Sequence, residues 1–118
     1  ANWQLIRCFD ALLKLSDAPR ALFVTSGVTQ RPAPYWGAYA ASKAGLEAMV
    51  QLYAAENAQS ALRVNLVDPG RVATRMRAKA YPGEDAGLLA KADDVTGLFV
   101  RLASESCTET GQRFSVKA

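Results

Sequence analysis

The chain has 118 residues, of which 50% are hydrophobic and 21% are charged, and its formal net charge is +3. This length suits one domain with one core, and the composition is that of a soluble globular protein. The mild positive charge is spread along the chain and argues against nucleic acid as a partner. No apolar run approaches the roughly 18 residues of a membrane span, and the first residues lack a signal-peptide layout, so we expect no membrane partner.

Two cysteines, Cys8 and Cys107, lie far apart in the sequence, and the chain contains no histidine. A histidine-containing metal site is therefore excluded by the composition, and no Cys-x-x-Cys spacing suggests another kind of metal site. A disulfide framework is equally unsupported. We expect two free thiols, no metal and a cytoplasmic location.

The first predicted elements are a helix over residues 2–15 and a strand over residues 21–25. The helix carries apolar residues close to the i, i+3, i+4, i+7 spacing of a half-buried helix, and Asp17-Ala-Pro19 ends it. These apolar residues are Trp3, Leu5, Ile6, Phe9, Leu12 and Leu13. The strand Ala-Leu-Phe-Val-Thr is continuously apolar, which is typical of a strand buried on both faces of a parallel sheet.

A loop with two prolines leads from this strand to a second helix, predicted over residues 38–57. The helix has one apolar stripe, formed by Leu46, Met49, Val50 and Tyr53. A second strand is predicted over residues 62–67, and Asp68-Pro-Gly70 turns the chain away from it. The remaining predicted elements are a short helix over 74–81, a helix over 93–103 with Asp93 near its cap, and a last strand over 113–116.

This alternation of strand and helix predicts an α/β fold with three parallel strands and helices on both faces of the sheet. Three strands make a small sheet for this architecture. The first strand would have an open edge, and Leu22, Phe23 and Val24 are residues that proteins seldom leave uncovered there. The first helical pattern also opens at Ala1 without a capping residue. We therefore expect residues 1–118 to be one partial domain whose other half precedes Ala1.

Three residues whose side chains could take part in a reaction lie near one another in the predicted fold. Tyr39 and Lys43 are four positions apart in the second helix and therefore share one face. A phenol with a reference pKa near 10 is a poor acid or base at neutral pH, but an ammonium within about 4 to 6 Å favours the phenolate. Alone, the pair is more typical of a packed tyrosine beside a solvated lysine. Ser26 changes that balance, because it follows the first strand at the sheet edge where ligands bind in open α/β sheets.

The sequence strongly resembles the short-chain dehydrogenase/reductase family, through four features that occur in the family's order. They are the Thr25-Ser26 strand end, Tyr39-x-x-x-Lys43, Pro69-Gly70-x-Val72-x-Thr74, and Thr110-Gly-x-x-Phe114. The features span nearly the whole chain, and the similarity is greatest to a bacterial subgroup of uncharacterised oxidoreductases. The resemblance implies that the chain is the C-terminal half of a Rossmann-like, doubly wound parallel sheet.

The resemblance also implies an activity and a set of roles. The family interconverts an alcohol and a carbonyl by hydride transfer, with NAD or NADP as cofactor. Tyr39 would be the general acid/base, Lys43 would hold the nicotinamide ribose, and Ser26 would hydrogen-bond the substrate oxygen. Tyr39 would also border the cofactor, and the remaining residues implied in the nicotinamide site are Pro69, Gly70, Val72 and Thr74.

The sequence departs from the family pattern in its missing first half. It has no glycine-rich phosphate loop, no Asn-Asn-Ala-Gly stretch, and no residue that chooses between NAD and NADP. The family's catalytic asparagine would fall just ahead of Ala1, and we interpret Asn2 as an ordinary helix residue. We therefore expect this chain alone to be inactive.

Several questions stay open at the level of sequence. The small-molecule substrate is not identifiable: arginines in the loops 31–36 and 71–87 suit either an anionic substrate or plain solvation, and Tyr35 and Trp36 suit either stacking or loop packing. The helices over 2–15 and 38–57 match those that family members use to form dimers or tetramers, so Leu46, Met49 and Tyr53 are either core or interface. A scaffold protein that kept the fold without the chemistry is the alternative function.

Overall fold

Three parallel strands form the sheet in the computed structural model, which describes residues 1–116. They are β1 (Arg20–Val24), β2 (Arg63–Asp68) and β3 (Arg113–Ser115), arranged in the order β1-β2-β3. Leu22 lies opposite Asn65 in the first pair, and Leu66 lies opposite Arg113 in the second. The predicted α/β class with three parallel strands is confirmed.

Four α-helices connect and flank the strands: α1 (Asn2–Leu13), α2 (Gly37–Glu56), α3 (Arg75–Ala80) and α4 (Thr96–Ala103). Short 3₁₀ turns cover Gly27–Thr29, Ala86–Leu88 and Ala92–Val95. The last helix differs from its prediction, because it begins at Thr96 behind a 3₁₀ turn. Asp93 lies inside that turn, and it is Asp94 whose carboxylate accepts a hydrogen bond from the backbone N–H of Lys91, at 2.8 Å.

The sheet separates two apolar clusters. One lies between β2, α1 and α2 and contains the buried residues Ile6, Leu46, Val50, Tyr53, Ala54, Leu62, Val64 and Leu66. The other lies under α4 and contains Val67, Leu102 and Cys107, with Leu98, Phe99 and Phe114 packed against them. Successive side chains of a strand point to opposite faces, so β2 supplies Val64 and Leu66 to the first cluster and Val67 to the second. Leu46 and Tyr53 are thus core residues of this chain, and the interface alternative for them is wrong.

β1 is less buried than its apolar sequence predicts. β2 is the central strand and lines both clusters, whereas β1 has a strand neighbour on one side only within residues 1–116. Val24 is 45% exposed as a result. The predicted burial of this strand on both faces is therefore wrong for the chain as described, and the predicted open edge is present.

α1 also packs through a narrower face than its pattern predicts. Ile6 is buried and Leu13 packs against the first cluster. Four other apolar side chains of the helix are at least half exposed: Trp3, Leu5, Phe9 and Leu12.

The total accessible surface of the chain is 8037 Å², whereas a folded monomer of this size exposes about 6,200 Å². No helix within residues 1–116 has both the length and the hydropathy needed to cross a bilayer.

Candidate active site

The carboxyl ends of the three strands meet at one edge of the sheet. β1 ends at Val24 and continues into Thr25 and Ser26, while β2 ends at Asp68 and β3 at Ser115. Loops that leave the carboxyl ends of parallel strands form the usual ligand site in open α/β folds. The candidate site residues lie on α2 or on a segment that leaves this edge: Ser26, Tyr39, Lys43, Pro69, Gly70, Val72 and Thr74.

Ser26 begins the 3₁₀ turn Gly27–Thr29 in an extended conformation. Its hydroxyl oxygen accepts a long hydrogen bond, at 3.4 Å, from the backbone N–H of Val28. Its carbonyl oxygen accepts three further bonds, from the Thr29 hydroxyl at 3.1 Å, from the Thr29 N–H at 3.4 Å and from Nη2 of Arg113 at 3.2 Å. The residue is half-buried. Its backbone is therefore held firmly, while its hydroxyl still has a proton to donate.

Tyr39 and Lys43 lie one turn apart on α2, and both are half-buried. The ammonium nitrogen of Lys43 is 5.9 Å from the centre of the Tyr39 ring. The same nitrogen donates a 3.1 Å hydrogen bond to the carbonyl of Val24, two residues before Ser26. Lys43 thereby ties α2 to the end of β1, and the structure brings Ser26, Tyr39 and Lys43 to the same edge of the sheet.

An aromatic wall covers Tyr39 on the loop side. The Trp36 ring meets the Tyr39 ring edge-on, with centroids 5.5 Å apart, and stacks on the Tyr81 ring at 5.9 Å. The guanidinium of Arg77 lies 3.9 Å from the centre of the Tyr81 ring, and it forms a two-pronged ion pair with Glu84 at 2.8 and 2.9 Å. This hydrogen bonding lowers the pKa of Glu84 and raises that of Arg77. The wall thus connects the segment after β2 to the residue proposed for acid/base chemistry.

Sequence reasoning left the role of Trp36 open, and here its ring packs against the rings of Tyr39 and Tyr81. Tyr35, by contrast, is fully exposed and has a φ of +70°. No spacing rule links Trp36 to Tyr81, which is 45 residues further along the chain. The wall is therefore visible only in three dimensions.

The turn after β2 contains the other predicted cofactor residues. Gly70 has a φ of +73°, which favours glycine, and its N–H donates to Oδ1 of Asp68 at 3.0 Å. Val72 forms an isolated parallel bridge with Ala90. Thr74 caps α3, since its hydroxyl oxygen accepts the N–H of Arg77 at 3.1 Å. Pro69 precedes Gly70, so all four predicted residues lie on the segment leaving β2.

Two open clefts border these elements. The larger, about 340 Å³, lies between α3 and the following segment, and its lining includes Thr74, Arg77, Tyr81, Glu84 and Leu89. The smaller, about 270 Å³, lies between the start of α1 and α2, and its lining includes Asn2, Trp3, Ser42, Lys43 and Met49. Asn2 is therefore near Lys43, although the sequence suggested no role for it.

A mostly buried ion pair beneath the site was missed by the sequence reasoning. Oε1 of Glu47 accepts hydrogen bonds from the Thr25 hydroxyl at 2.6 Å, the Thr29 hydroxyl at 2.8 Å and Nε of Arg113 at 3.3 Å. Burial would raise the pKa of Glu47, but these three bonds outweigh it and hold the pKa below its usual range. A partial signal did exist: Glu47 follows Lys43 by four positions on the same helix face, and Arg113 is a charged residue at the start of the last predicted strand.

The comparison with known protein families decides the classification. The short chain dehydrogenase model matches residues 5–85, which is more than half of the chain. The chain belongs to the short chain dehydrogenase family. The family resemblance inferred from the four motifs is therefore confirmed.

Two curated relatives and one solved structure illustrate this membership. The uncharacterized oxidoreductase YciK of Escherichia coli (strain K12) is 39% identical over 118 residues, which are 99% of this chain and 46% of that protein. A chloroplastic NADPH-dependent aldehyde reductase-like protein of Arabidopsis thaliana is 42% identical over 64 residues, 54% of this chain and 24% of that protein. The structure of a short chain dehydrogenase from Escherichia coli CFT073, complexed with NADPH, superposes with a TM-score of 0.93 at 38% identity, covering 99% of this chain and 49% of that one.

These matches confirm the resemblance to uncharacterised bacterial oxidoreductases of the family. The chain spans about half the length of two of these proteins, YciK and the dehydrogenase complexed with NADPH.

Proposed function

We propose that this chain is the catalytic half of an NAD(P)-dependent oxidoreductase that interconverts an alcohol and a carbonyl by hydride transfer. The observation that carries the proposal is the position of Lys43. Its ammonium lies between the Val24 carbonyl and the Tyr39 ring, so it links the helix that bears Tyr39 to the strand end that bears Ser26. A solvated surface lysine has no need of this geometry.

In this mechanism, Ser26 and Tyr39 act on the same substrate oxygen. Ser26 donates its hydroxyl proton in a hydrogen bond and orients the oxygen, which stabilises the charge that develops there. Tyr39 gives its proton to that oxygen in the reducing direction and takes it back in the oxidising direction. Lys43 places a positive charge 5.9 Å from the centre of the Tyr39 ring, beside the site of this proton transfer. The nicotinamide cofactor, when bound, supplies or accepts the hydride.

The chain's own residues fit the nicotinamide end of such a cofactor. Gly70 turns the backbone back at the end of β2 in a left-handed conformation that leaves the edge free of a side chain. Lys43 presents an ammonium at the same edge for the ribose hydroxyls, and Val72 and Thr74 follow on the segment beside it. Pro69 fixes the start of this turn. Nothing in the sequence resembles a loop for the pyrophosphate.

The cofactor is NADP(H) or NAD(H). The NADPH complex of one relative and the NADPH dependence named for another favour NADPH. That second relative also favours an aldehyde as the carbonyl substrate.

We further propose that a second, dinucleotide-binding half completes the fold. Two observations support this: the relatives are about twice as long, and the chain exposes far more surface than a folded monomer of its size. This chain and that half together form the assembled enzyme.

The oligomer and the location are proposals on separate grounds. The apolar side chains that α1 leaves exposed, with Leu52 of α2 at 63% exposure, support a homodimer or homotetramer formed through these helices. Cys8 and Cys107 are free thiols, which supports a cytoplasmic location.

The test of the proposed function is removal of one hydroxyl. In the assembled enzyme, Tyr39→Phe should lower the rate of NADPH-dependent aldehyde reduction by about 10²- to 10⁴-fold. Tyr53→Phe is the matched control, because it removes a hydroxyl from the same helix at a residue bonded to Asp10 rather than facing the site. A Tyr39→Phe enzyme with more than about a tenth of the wild-type rate would exclude the acid/base role. Complete inactivity of the wild type toward alcohols and carbonyls would favour a scaffold function.

A further inference from the structure

Arg113 connects three segments of the candidate site through one guanidinium group. Its Nε donates to Oε1 of Glu47 at 3.3 Å, and its Nη2 donates to the carbonyl of Ser26 at 3.2 Å and to Oδ2 of Asp68 at 3.1 Å. Its Nη1 donates to the Ser115 hydroxyl at 2.9 Å, within the same strand. One side chain of β3 therefore contacts α2, the turn after β1 and the end of β2.

Glu47 links Arg113 to α2, the helix that bears the proposed acid/base Tyr39. Tyr39, Lys43 and Glu47 follow one another at intervals of four residues, so they lie on one face of α2. The Glu47 carboxylate holds Thr25 and Thr29, the residues that flank the turn of Ser26. The position of Ser26 relative to Tyr39 is thus fixed twice, once through Lys43 and once through Glu47 and Arg113.

The partial burial of three charged side chains makes this arrangement rigid. The side chain of Arg113 is 20% exposed, and those of Glu47 and Asp68 are each 14% exposed. Charge-assisted hydrogen bonds are stronger than neutral ones, and loss of one partner of a mostly buried pair leaves the other uncompensated. The arrangement therefore holds only while all of its members are present.

We infer that Arg113, together with Glu47, is a positioning residue that holds the Ser26 hydroxyl in register with the Tyr39 hydroxyl. The inference rests on the proposed function and adds to it a residue outside the Ser26, Tyr39 and Lys43 set. Within residues 1–116, the hydroxyl of Ser26 has only the 3.4 Å bond from the N–H of Val28 to orient it. The hydrogen bonds that its carbonyl accepts therefore determine where it lies. Arg113 supplies the charged one of those bonds.

An arginine is required because the role needs a planar fork. Three nitrogens of one guanidinium reach four acceptors at fixed angles. A lysine at this position would keep the positive charge but would lack the geometry to serve Glu47, Asp68 and the Ser26 carbonyl together. Charge and geometry can therefore be separated by substitution.

The first measurement compares Arg113→Met, Arg113→Lys and a control in the assembled enzyme. Arg101→Met is the matched control, since Arg101 also pairs with a glutamate, Glu109, but contacts no residue of the site. Misplacement of a reacting group by about 1 Å costs up to about 10²-fold in rate. We expect kcat to fall about 10- to 100-fold in Arg113→Met, with KM for NADPH changed less than about twofold, and we expect Arg113→Lys to recover only part of the rate. A wild-type kcat in Arg113→Met would overturn the inference.

A double-mutant cycle with Ser26→Ala separates positioning from general destabilisation. If Arg113 acts through Ser26, Arg113→Met should lower kcat by less than about threefold when Ser26 is already alanine. If the full 10- to 100-fold loss recurs in that background, Arg113 is merely structural and the inference is wrong.

A third measurement judges the inference independently of activity. In Arg113→Met, amide hydrogen exchange over residues 25–30 should be at least about tenfold faster than in wild type and in Arg101→Met. Unchanged exchange would overturn the inference even if turnover fell. Conversely, if no substrate were turned over by the wild type, the proposed function would fail, and faster exchange would still establish that Arg113 holds the Ser26 turn.

Discussion

The hydroxyl of Tyr53 donates a 2.6 Å hydrogen bond to Oδ1 of Asp10, and this bond joins α2 to α1. Lys14 pairs with the other oxygen of the same carboxylate at 2.9 Å. The bonds from Tyr53 and Lys14 lower the pKa of Asp10, while burial and the nearby Asp10 carboxylate raise the pKa of Tyr53 well above its usual value. This hydrogen bond, together with the core contacts of Ile6 and Leu13, holds α1 against the rest of the fold.

Loss of that bond should weaken the fold measurably. Hydrogen bonds to charged groups contribute about 1.5–3 kcal/mol, so Tyr53→Phe should lower the free energy of unfolding by about that amount. Equilibrium urea denaturation of the assembled enzyme measures the change. Lys14→Met is the control, because an exposed i, i+4 pair is worth at most about 0.5 kcal/mol. Equal losses in the two variants would contradict the assignment.

The same bond predicts a dependence on alkaline pH. The folded state raises the pKa of Tyr53, so the resulting stability is fully present below the unfolded pKa of 10.0 and is lost as the pH rises through the folded pKa. The free energy of unfolding should therefore fall above about pH 10 more steeply in wild type than in Tyr53→Phe. Tyr35→Phe, at a fully exposed position, should keep the wild-type slope.

Glu47 predicts the opposite dependence at acidic pH. Its folded pKa lies below the usual 4.5, so its stabilisation is present above that value and is lost as the pH falls through the folded pKa. As the pH falls below about 4.5, the melting temperature should fall less steeply in Glu47→Gln than in wild type. Glu105→Gln, an exposed glutamate substitution, serves as the control. An unchanged slope in Glu47→Gln would show that the ion pair with Arg113 is not formed in solution.

Much of the fold follows from local pattern. The strands and helices lie close to their predicted ranges because their apolar periodicity and their Pro and Gly boundaries are local properties of the sequence. The actual burial of β1 could not be predicted from this pattern. An apolar run shows that a strand is suited to burial, but it does not show whether a neighbouring element covers the strand. The burial of the apolar residues of α1 was overestimated for the same reason, since Phe9 and Leu12 are about half exposed.

The candidate site was predictable to the extent that it is encoded in spacing. Tyr39 and Lys43 share a helix face by geometry alone, and Ser26 lies at the sheet edge because of its place after β1. Arg113 escaped prediction because its partners are as many as 87 residues away in sequence. Contacts of this kind depend on strand order, which neither propensity nor periodicity specifies.

Arg20 gives a further prediction about stability. Its guanidinium donates hydrogen bonds to the carbonyls of Ser104, Glu105 and Cys107 at 3.0 Å each, so it fastens the turn after α4 to the start of β1. Removal leaves these carbonyls without that donor. The bond to Glu105 is exposed and the other two are partly buried, so water can replace part of the loss. Arg20→Met should lose about 1–3 kcal/mol, the cost of about one unsatisfied group, in chemical denaturation. Arg31→Met, in the exposed loop, should lose almost none.

The exposed edge of β1 predicts how the chain behaves by itself. The chain has a radius of gyration of 15.4 Å, whereas a compact domain of this length has about 13.5 Å, and unpaired strand edges promote association. We expect the isolated 118-residue chain to form dimers or larger species in sedimentation velocity and to bind NADPH no more tightly than millimolar in calorimetry, because no pyrophosphate loop is present in its sequence.

A charge placed on the edge tests the cause of this association. Val24→Lys should shift the isolated chain toward monomer, since lysine on an edge strand opposes edge-to-edge pairing. Val100→Lys is the matched control, because Val100 is 69% exposed but lies on the helix α4 and not on the edge strand itself. If both variants associate as wild type does, the contact lies elsewhere, and the exposed apolar face of α1 is the next surface to substitute. A monomeric wild type with a sharp, cooperative melt would show that the open edge of β1 does not drive association.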